Sequence, residues 1–198
     1  MSTSSLVVPH IYLDTPILVD VLRNRRTASL TLLEEARQKM WRISTSQFAV
    51  MEVLDVEQDD RFFILEVTKG QTVTSVLRDR YKRKLPETER KSIQSKVKDF
   101  LDVSYPFIQY FHLSAEGFNS AIGLCANTNI SAPDCLHLAT ALDARCDVFV
   151  TTDEHFLDEA KDYIEACRPE HIHDTLVRLG LSKLAQLVCV FRVELNAQ

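Results

Sequence analysis

Four acidic residues of the sequence stand in or beside apolar segments, where a carboxylate contributes little to folding. Asp14 follows a short apolar segment, and Glu52 lies within another. Asp134 opens a segment rich in alanine and leucine, and Asp153 follows the apolar run at residues 148–150. Carboxylate oxygens are the hard ligands that Mg²⁺ and Mn²⁺ prefer. A cation bound by clustered acids can activate water and stabilise a departing oxygen, so these residues indicate hydrolysis of phosphodiester bonds.

Each of these acids also has an ordinary structural explanation. Asp14 could cap a helix, and Glu52 could be a solvated helix position. Asp134 could interact with the dipole of the helix that it opens, and Asp153 could cap the following turn. Asp55, one turn after Glu52 on the same helix, is the alternative to Glu52. The residues taken alone leave both sets of explanations open.

Short apolar segments alternate with helical patterns along the chain. Strands are predicted at residues 10–13, 41–44, 105–113 and 148–150. Strands that are apolar throughout, and that alternate with helices, are typical of a mostly parallel sheet covered on both faces. The predicted fold class is therefore α/β, with a central, mostly parallel sheet flanked by helices. Ligands of such folds bind at the carboxyl ends of the strands, where Asp14 and Asp153 are expected.

Four short motifs containing these acids resemble, in this order, the PIN domain family, and most of all its VapC-type toxin ribonucleases. The motifs lie at residues 11–15, 46–54, 134–141 and 150–156. The resemblance covers about residues 9–160, except the middle. It implies a three-layer α/β/α fold and a metal-dependent ribonuclease, often the toxin of a toxin–antitoxin pair.

The resemblance also implies roles for individual residues and partners. Asp14, Glu52, Asp134 and Asp153 would be the catalytic acids that bind Mg²⁺ or Mn²⁺. Thr15 and Thr151 would hydrogen-bond the carboxylates or the attacking water. RNA would be the substrate, with 5′-phosphate and 3′-hydroxyl products. An antitoxin protein would be a partner, and PIN proteins commonly form homodimers.

One segment of the chain is strongly basic, although the whole chain has a formal net charge of −5. Residues 69–98 contain ten Lys or Arg residues against three Asp or Glu residues. Lysine and arginine bind phosphates by releasing counterions, and an aromatic side chain can stack on an unpaired base. The expected RNA-binding residues are Arg78, Arg80, Tyr81, Lys82, Arg83 and Lys84. A solvated helical face, or docking of an acidic partner protein, explains the same pattern.

The expected domain organisation is a single PIN-like domain over residues 1–198. It would carry a helical basic insertion at about 59–104 and a C-terminal extension at about 163–198. A helix is predicted at 172–187, and the apolar end at 187–191 could be a final strand or a helix that packs on the core.

The sequence also favours a location for the protein. No apolar run approaches the roughly 20 residues that span a bilayer, so no membrane association is expected. The N-terminus lacks the basic region and apolar core of a secretory signal, which predicts a cytoplasmic protein. The five cysteines are scattered, as is typical of free thiols in a reducing compartment.

Three classes of function fit this sequence. The first is a metal-dependent endoribonuclease with a four-carboxylate site. The second is a non-catalytic regulatory module that keeps the PIN fold and binds RNA or protein. The third is a phosphatase or DNA nuclease that uses the same acids, since the sequence does not distinguish RNA from DNA.

Overall fold

The computed structural model describes residues 8–181 of the chain. These residues divide into two compact units, the first made of residues 8–47 and 107–181 and the second of residues 48–106. The second unit overlaps the expected basic insertion, and the assignment of the whole chain to a single domain stays a prediction. The predicted apolar end at 187–191 lies outside the described residues.

A five-stranded sheet forms the centre of the first unit. The strands are β1 (His10–Leu13), β2 (Arg42–Ser46), β3 (Ile108–Phe111), β4 (Val148–Val150) and β5 (Glu165–Cys167). All neighbouring pairs are parallel, and the strand order is β3-β2-β1-β4-β5. The central strand β1 is buried along its whole length, as its largely apolar sequence predicts. The expected α/β class with a mostly parallel sheet is confirmed.

Helices connect the strands and also build the second unit. They are α1 (Thr15–Leu22), α2 (Thr27–Gln38), α3 (Gln47–Thr68), α4 (Val73–Arg78), α5 (Glu87–Asp99), α6 (Ala115–Asn127), α7 (Ala132–Asp143), α8 (Glu154–Ala160) and α9 (Ile172–Arg178). Within residues 8–181, no helix is both long and apolar enough to cross a bilayer.

The sheet of the first unit is the middle layer of a three-layer α/β/α arrangement. Tyr12 and Phe149, from the central strands, pack with Leu138 of α7 and Phe156 of α8 in one hydrophobic cluster. Side chains alternate between the two faces of a strand, so Ile11 is directed to the opposite layer. Helices α1 and α2 contribute the buried side chains Ile17, Leu18, Leu32 and Leu33.

The second unit contains nearly all of α3 together with α4 and α5. Its buried apolar side chains come from all three helices and the turns that follow them: Ala49, Val53, Phe62, Val76, Leu85, Ile93, Val97, Phe100 and Leu101. The sequence predicts separate polar helices from residue 59 onward. In the structure α3 instead continues without a break to Thr68.

Three further elements differ from the sequence predictions. Strand β5 and helix α8 are not predicted, because each is short and lacks a long apolar run. The helix predicted at 172–187 ends at Arg178. It ends there because Gly180 adopts φ +72°, and Leu181 N–H donates to the Leu176 carbonyl at 2.8 Å, the arrangement of a glycine that terminates a helix.

Four of the five cysteines lie in the described part of the chain, and each is a free thiol: Cys125, Cys135, Cys146 and Cys167. Burial raises the pKa of the Cys146 thiol to about 12 and that of Cys167 to about 11. Both thiols therefore stay protonated at neutral pH. Cys189 lies outside the described residues.

Candidate active site

Asp14 is the most buried of the four predicted acids. It follows β1 directly, and only 5% of its surface is exposed. One carboxylate oxygen, Oδ1, accepts the Thr15 backbone N–H at 2.8 Å, which makes Asp14 the N-cap of α1. The backbone N–H of Asp14 donates to the Val150 carbonyl at 3.0 Å. The predicted cap is confirmed, and it fixes the carboxylate at the carboxyl end of the central strand.

Thr151 links Asp14 to Asp153 across two neighbouring strands. Its hydroxyl donates to Asp14 Oδ2 at 2.6 Å and accepts the Asp153 backbone N–H at 3.1 Å. Asp153 is exposed, and its Oδ1 accepts the backbone N–H groups of His155 and Phe156 at 2.9 and 3.2 Å. Asp153 therefore caps α8 through Oδ1 alone, and Oδ2 takes no part in these capping bonds.

Asp134 stands in the first turn of α7, partly exposed. Its Oδ2 accepts the Ser131 hydroxyl at 2.6 Å, and its backbone N–H donates to Ser131 Oγ at 3.4 Å. The helix-terminus explanation therefore holds for Asp14, Asp134 and Asp153 alike. It does not exclude ligation, because N–H groups at a helix start stabilise a negative charge without using every carboxylate lone pair.

The buried position makes the charge on Asp14 costly. Burial raises the pKa of the Asp14 carboxyl above its usual range, and the nearby Asp134 charge raises it further. His137, the Thr151 hydroxyl and the Thr15 N–H oppose this shift. Two carboxylates that repel each other at one edge of a sheet are suited to share a cation.

Sequence reasoning did not identify His137 as part of this site. It is 2% exposed on the inner face of α7, one turn after Asp134. Its Nδ1 lies 2.9 Å from the Tyr12 hydroxyl, and its Nε2 lies 3.9 Å from Asp14 Oδ1. Burial raises the pKa of the Tyr12 phenol, which stays protonated. The only sequence signal was a histidine within an otherwise apolar helix.

Glu52 lies on α3, in the second unit. It is partly exposed and belongs to the part of α3 that also carries Asp55. Its membership of the site therefore stays a prediction.

The oxygen atoms of the first unit are the type of ligand that a hard cation prefers, but too few of them lie together to complete a metal site. Asp14, Asp134 and Asp153 offer carboxylate oxygens, and Thr15 and Thr151 offer hydroxyls. Within residues 8–181, no group of three or more His, Cys, Asp or Glu residues is arranged to hold a metal ion. The buried, destabilised charge of Asp14 is the observation that fits Mg²⁺ or Mn²⁺, since a cation would offset its desolvation.

The predicted RNA-binding residues lie together in the second unit. Arg78 ends α4, and Arg80, Tyr81 and Lys82 form a short 3₁₀ turn that leads to Arg83 and Lys84. Tyr81 is 80% exposed, and Lys82 Nζ lies 5.1 Å from the centre of its ring.

Several of these cations are already paired with acids of the same unit. Arg80 and Arg83 both bind Asp59, and Arg83 also binds Asp55. Lys82 lies 3.1 Å from Asp79. The eleven Lys and Arg residues at positions 48–106 are balanced by eleven Asp and Glu residues. The folded unit is thus formally neutral, and only part of the basic segment is available to a phosphate.

Comparison with known proteins gives the following matches. The family model described as PIN domain matches residues 11–162. One similar solved structure is VapBC2 from Rickettsia felis bound to a DNA fragment from their promoter. It is 16% identical, with a TM-score of 0.52, over 80% of this chain and 98% of that one. Another is FitAB bound to an IR36 DNA fragment, 14% identical with a TM-score of 0.49, over 80% of this chain and 94% of that one. The search of curated proteins found no match.

Proposed function

Because the chain belongs to the PIN domain family, we propose that it is a nuclease, and specifically a metal-dependent endoribonuclease. The observation that carries this proposal is the buried Asp14 carboxylate. It is hydrogen-bonded through Thr151 to the Asp153 segment and electrostatically coupled to Asp134. These groups share the end of the sheet at which α/β proteins bind their ligands.

Asp14, Glu52, Asp134 and Asp153 would hold the Mg²⁺ or Mn²⁺. When bound there, the cation would supply an activated water and would stabilise negative charge on the departing oxygen. Thr151 orients Asp14 through the 2.6 Å hydrogen bond. Thr15 donates its backbone N–H to the same carboxylate, and its hydroxyl is the second one proposed to hydrogen-bond the carboxylates or the attacking water. In the reaction a water oxygen bonds to phosphorus, the P–O3′ bond breaks, and the 3′ oxygen takes a proton. The products carry 5′-phosphate and 3′-hydroxyl ends.

RNA is the proposed substrate because the second unit offers exposed cations beside an exposed aromatic ring. Lys82 and Lys84 are exposed next to Tyr81, a combination that suits single-stranded nucleic acid. Arg80 and Arg83 contribute less, since their guanidinium groups bind acids of α3.

The partner proteins are proposed from similarity. The sequence motifs resemble VapC-type toxins, and the fold matches that in the VapBC2 structure. We propose an antitoxin partner from this likeness. A homodimer is proposed only because PIN proteins commonly form homodimers, and a cytoplasmic location remains a prediction from the sequence.

A second candidate function is a regulatory module that keeps the PIN fold and binds RNA or protein without cleaving. One specific observation favours it. Asp14, Asp134 and Asp153 each accept hydrogen bonds at the start of a helix, and the described residues contain no group of three metal-ligating side chains. Folding alone could therefore explain the three acids.

Cleavage of a labelled pool of structured RNA distinguishes the two functions. The wild type is tested with Mg²⁺, Mn²⁺ or a chelator, beside DNA of the same sequences. Asp134→Asn is the test variant, because Asp134 is partly exposed and its Ser131 bond can be kept by an amide. Asp158→Asn is the matched control, since Asp158 lies exposed on α8. Metal-dependent cleavage that only Asp134→Asn abolishes supports the nuclease, whereas RNA binding by a folded wild type that never cleaves supports the module.

A further inference from the structure

His137 of α7 connects the aromatic core to the candidate active site. Its ring is buried, with Tyr12 on one side and Thr15 on the other. Nδ1 lies 2.9 Å from the Tyr12 hydroxyl oxygen, and Nε2 lies 3.4 Å from Thr15 Oγ1 and 3.9 Å from Asp14 Oδ1. The two ring nitrogens therefore face different partners. The position of the ring proton decides whether Nε2 presents a hydrogen-bond donor or an acceptor to Thr15 and Asp14.

The partners on the two sides of the ring determine which nitrogen carries that proton. Nε2 faces Thr15 Oγ1 and the Asp14 carboxylate, and a carboxylate oxygen accepts hydrogen bonds but does not donate them, which favours a hydrogen on Nε2. The Tyr12 hydroxyl, 2.9 Å from Nδ1, completes this arrangement by donating to Nδ1. A neutral imidazole that accepts at Nδ1 carries its hydrogen on Nε2.

The position of this hydrogen matters for Asp14 and Thr15. A hydrogen on Nε2 points a positive dipole at the Asp14 carboxylate and occupies a lone pair of Thr15 Oγ1. Thr15 must then direct its own hydroxyl hydrogen away from His137. In the other tautomer the Nε2 lone pair would face the carboxylate and would bind the Thr15 hydrogen. One ring proton thus determines whether Thr15 can act as a donor in the site.

We propose that His137 is a positioning residue, held by Tyr12 in its Nε2–H tautomer, which orients the Thr15 hydroxyl and supports the ionised Asp14 carboxylate. This role rests on the nuclease function proposed above. Tyr12 and His137 do not contact the scissile bond; they act through Thr15 and Asp14. Groups that orient metal ligands in this way commonly change activity by about 10- to 100-fold when they are replaced.

The tautomer is measured directly, without cleavage or metal. Long-range ¹H–¹⁵N correlation spectra of the metal-free protein, labelled at histidine and kept at about pH 8, distinguish a protonated from an unprotonated ring nitrogen. We expect Nε2 of His137 to be protonated and Nδ1 unprotonated. In Tyr12→Phe the Nδ1 signal is expected to move towards a mixture of the two tautomers. Protonation at Nδ1 in the wild type, or identical spectra in Tyr12→Phe, would overturn the proposal.

Two substitutions of His137 then separate its two contacts. A glutamine amide reaches the Nε2 position and keeps the contact with Thr15, whereas an asparagine amide reaches only the Nδ1 position and keeps the contact with Tyr12. We expect His137→Gln to retain kcat within about 3-fold and His137→Asn to lower it about 10- to 100-fold with KM little changed. Equal activities of the two variants, per folded molecule, contradict a role through Nε2.

A double-mutant cycle tests whether His137 acts through Thr15. In the Thr15→Val background, His137→Asn should lower kcat by less than about 3-fold, since the group it orients is gone. If His137→Asn lowered kcat as much in the Thr15→Val background as in the wild type, His137 would act independently of Thr15. If no variant and no wild type cleaves RNA, the nuclease proposal fails while the tautomer spectra still decide the arrangement of Tyr12 and His137. If His137→Asn does not fold, the spectra of Tyr12→Phe still test whether Tyr12 fixes the tautomer of His137.

Discussion

Asp14 of the first unit and Asp59 of the second are both shielded from solvent, but their partners differ. Asp14 is held by an amide N–H and a hydroxyl, and the neighbouring Asp134 makes its charge less favourable. Asp59 is held by the guanidinium groups of Arg80 and Arg83, which neutralise it. A carboxylate held by an N–H group and a hydroxyl can still attract a cation, whereas one bound to two guanidinium groups is already neutralised. The difference supports the proposed ligand role of Asp14 and a stabilising role for Asp59 in the second unit.

The largest expected effect is loss of activity in Asp14→Asn. Removing the central carboxylate should lower kcat at least about 1,000-fold, which corresponds to about 4 kcal/mol of transition-state stabilisation. The free energy of unfolding in chelator should not fall, because burying an ionised carboxylate costs free energy that an amide avoids. Cleavage rates and thermal unfolding, measured on the same preparations, check both expectations. If Asp14→Asn were inactive because it does not fold, Asp14 would be a stabilising residue like Asp59, and the two acids would not differ in role.

The second prediction concerns stability in the second unit. Asp59→Asn leaves Arg80 and Arg83 without their shared partner, so we expect a loss of about 1–2 kcal/mol of unfolding free energy. Hydrogen exchange should increase in α3 and in the 3₁₀ turn of residues 80–82, while kcat of the metal-loaded enzyme stays unchanged. Asp102→Asn is the matched control, since Asp102 is exposed in the same unit and the charge change is identical. If kcat fell as far as in Asp14→Asn, the two acids would not differ in role.

These two regions were not equally predictable from the sequence. Strand β1 and the Asp14 cap of α1 follow from local patterns, because an apolar run and a side-chain oxygen act within a few residues. The pairing of Arg83 with Asp55 joins residues 28 positions apart, and the contact of Tyr12 with His137 joins residues 125 positions apart. Local patterns do not contain such contacts. The sequence therefore indicated a basic segment without showing the acids of α3 that pair with it, and it did not identify His137.

A third prediction separates Lys84, which is exposed and for which the described residues show no ion pair, from the paired cations of the same segment. Lys84→Gln should weaken RNA binding several-fold and lower the slope of log affinity against log salt by up to about 1. Arg80→Gln should change this slope less, since that guanidinium already binds Asp59. Titrations of labelled RNA at several salt concentrations measure both. Equal slopes for all variants would mean that the basic segment is a solvated face.

The smallest expected effect is a pH dependence of stability that comes from His10, at the other end of β1. Its Nε2 lies 2.7 Å from Ser44 Oγ. Burial, followed by the Arg42 charge, lowers the pKa of His10 below the ordinary value of 6.5, while the Arg145 backbone and Asp147 oppose this shift. The unfolded chain therefore binds a proton at a higher pH than the folded chain does.

As the pH falls through 6.5 towards this lower pKa, the unfolded state gains protons and stability is lost. Above 6.5 the contribution of His10 is constant. Denaturant unfolding of the wild type and of His10→Gln between pH 7.5 and about 5 measures the difference, in which titrations common to both proteins cancel. The wild type should lose more stability than the variant over this range. If the stability of the two proteins changed equally with pH, burial at this end of β1 would not disfavour the charged form of His10. The unfavourable charge of Asp14 would then have to come from its own neighbours rather than from burial in the sheet.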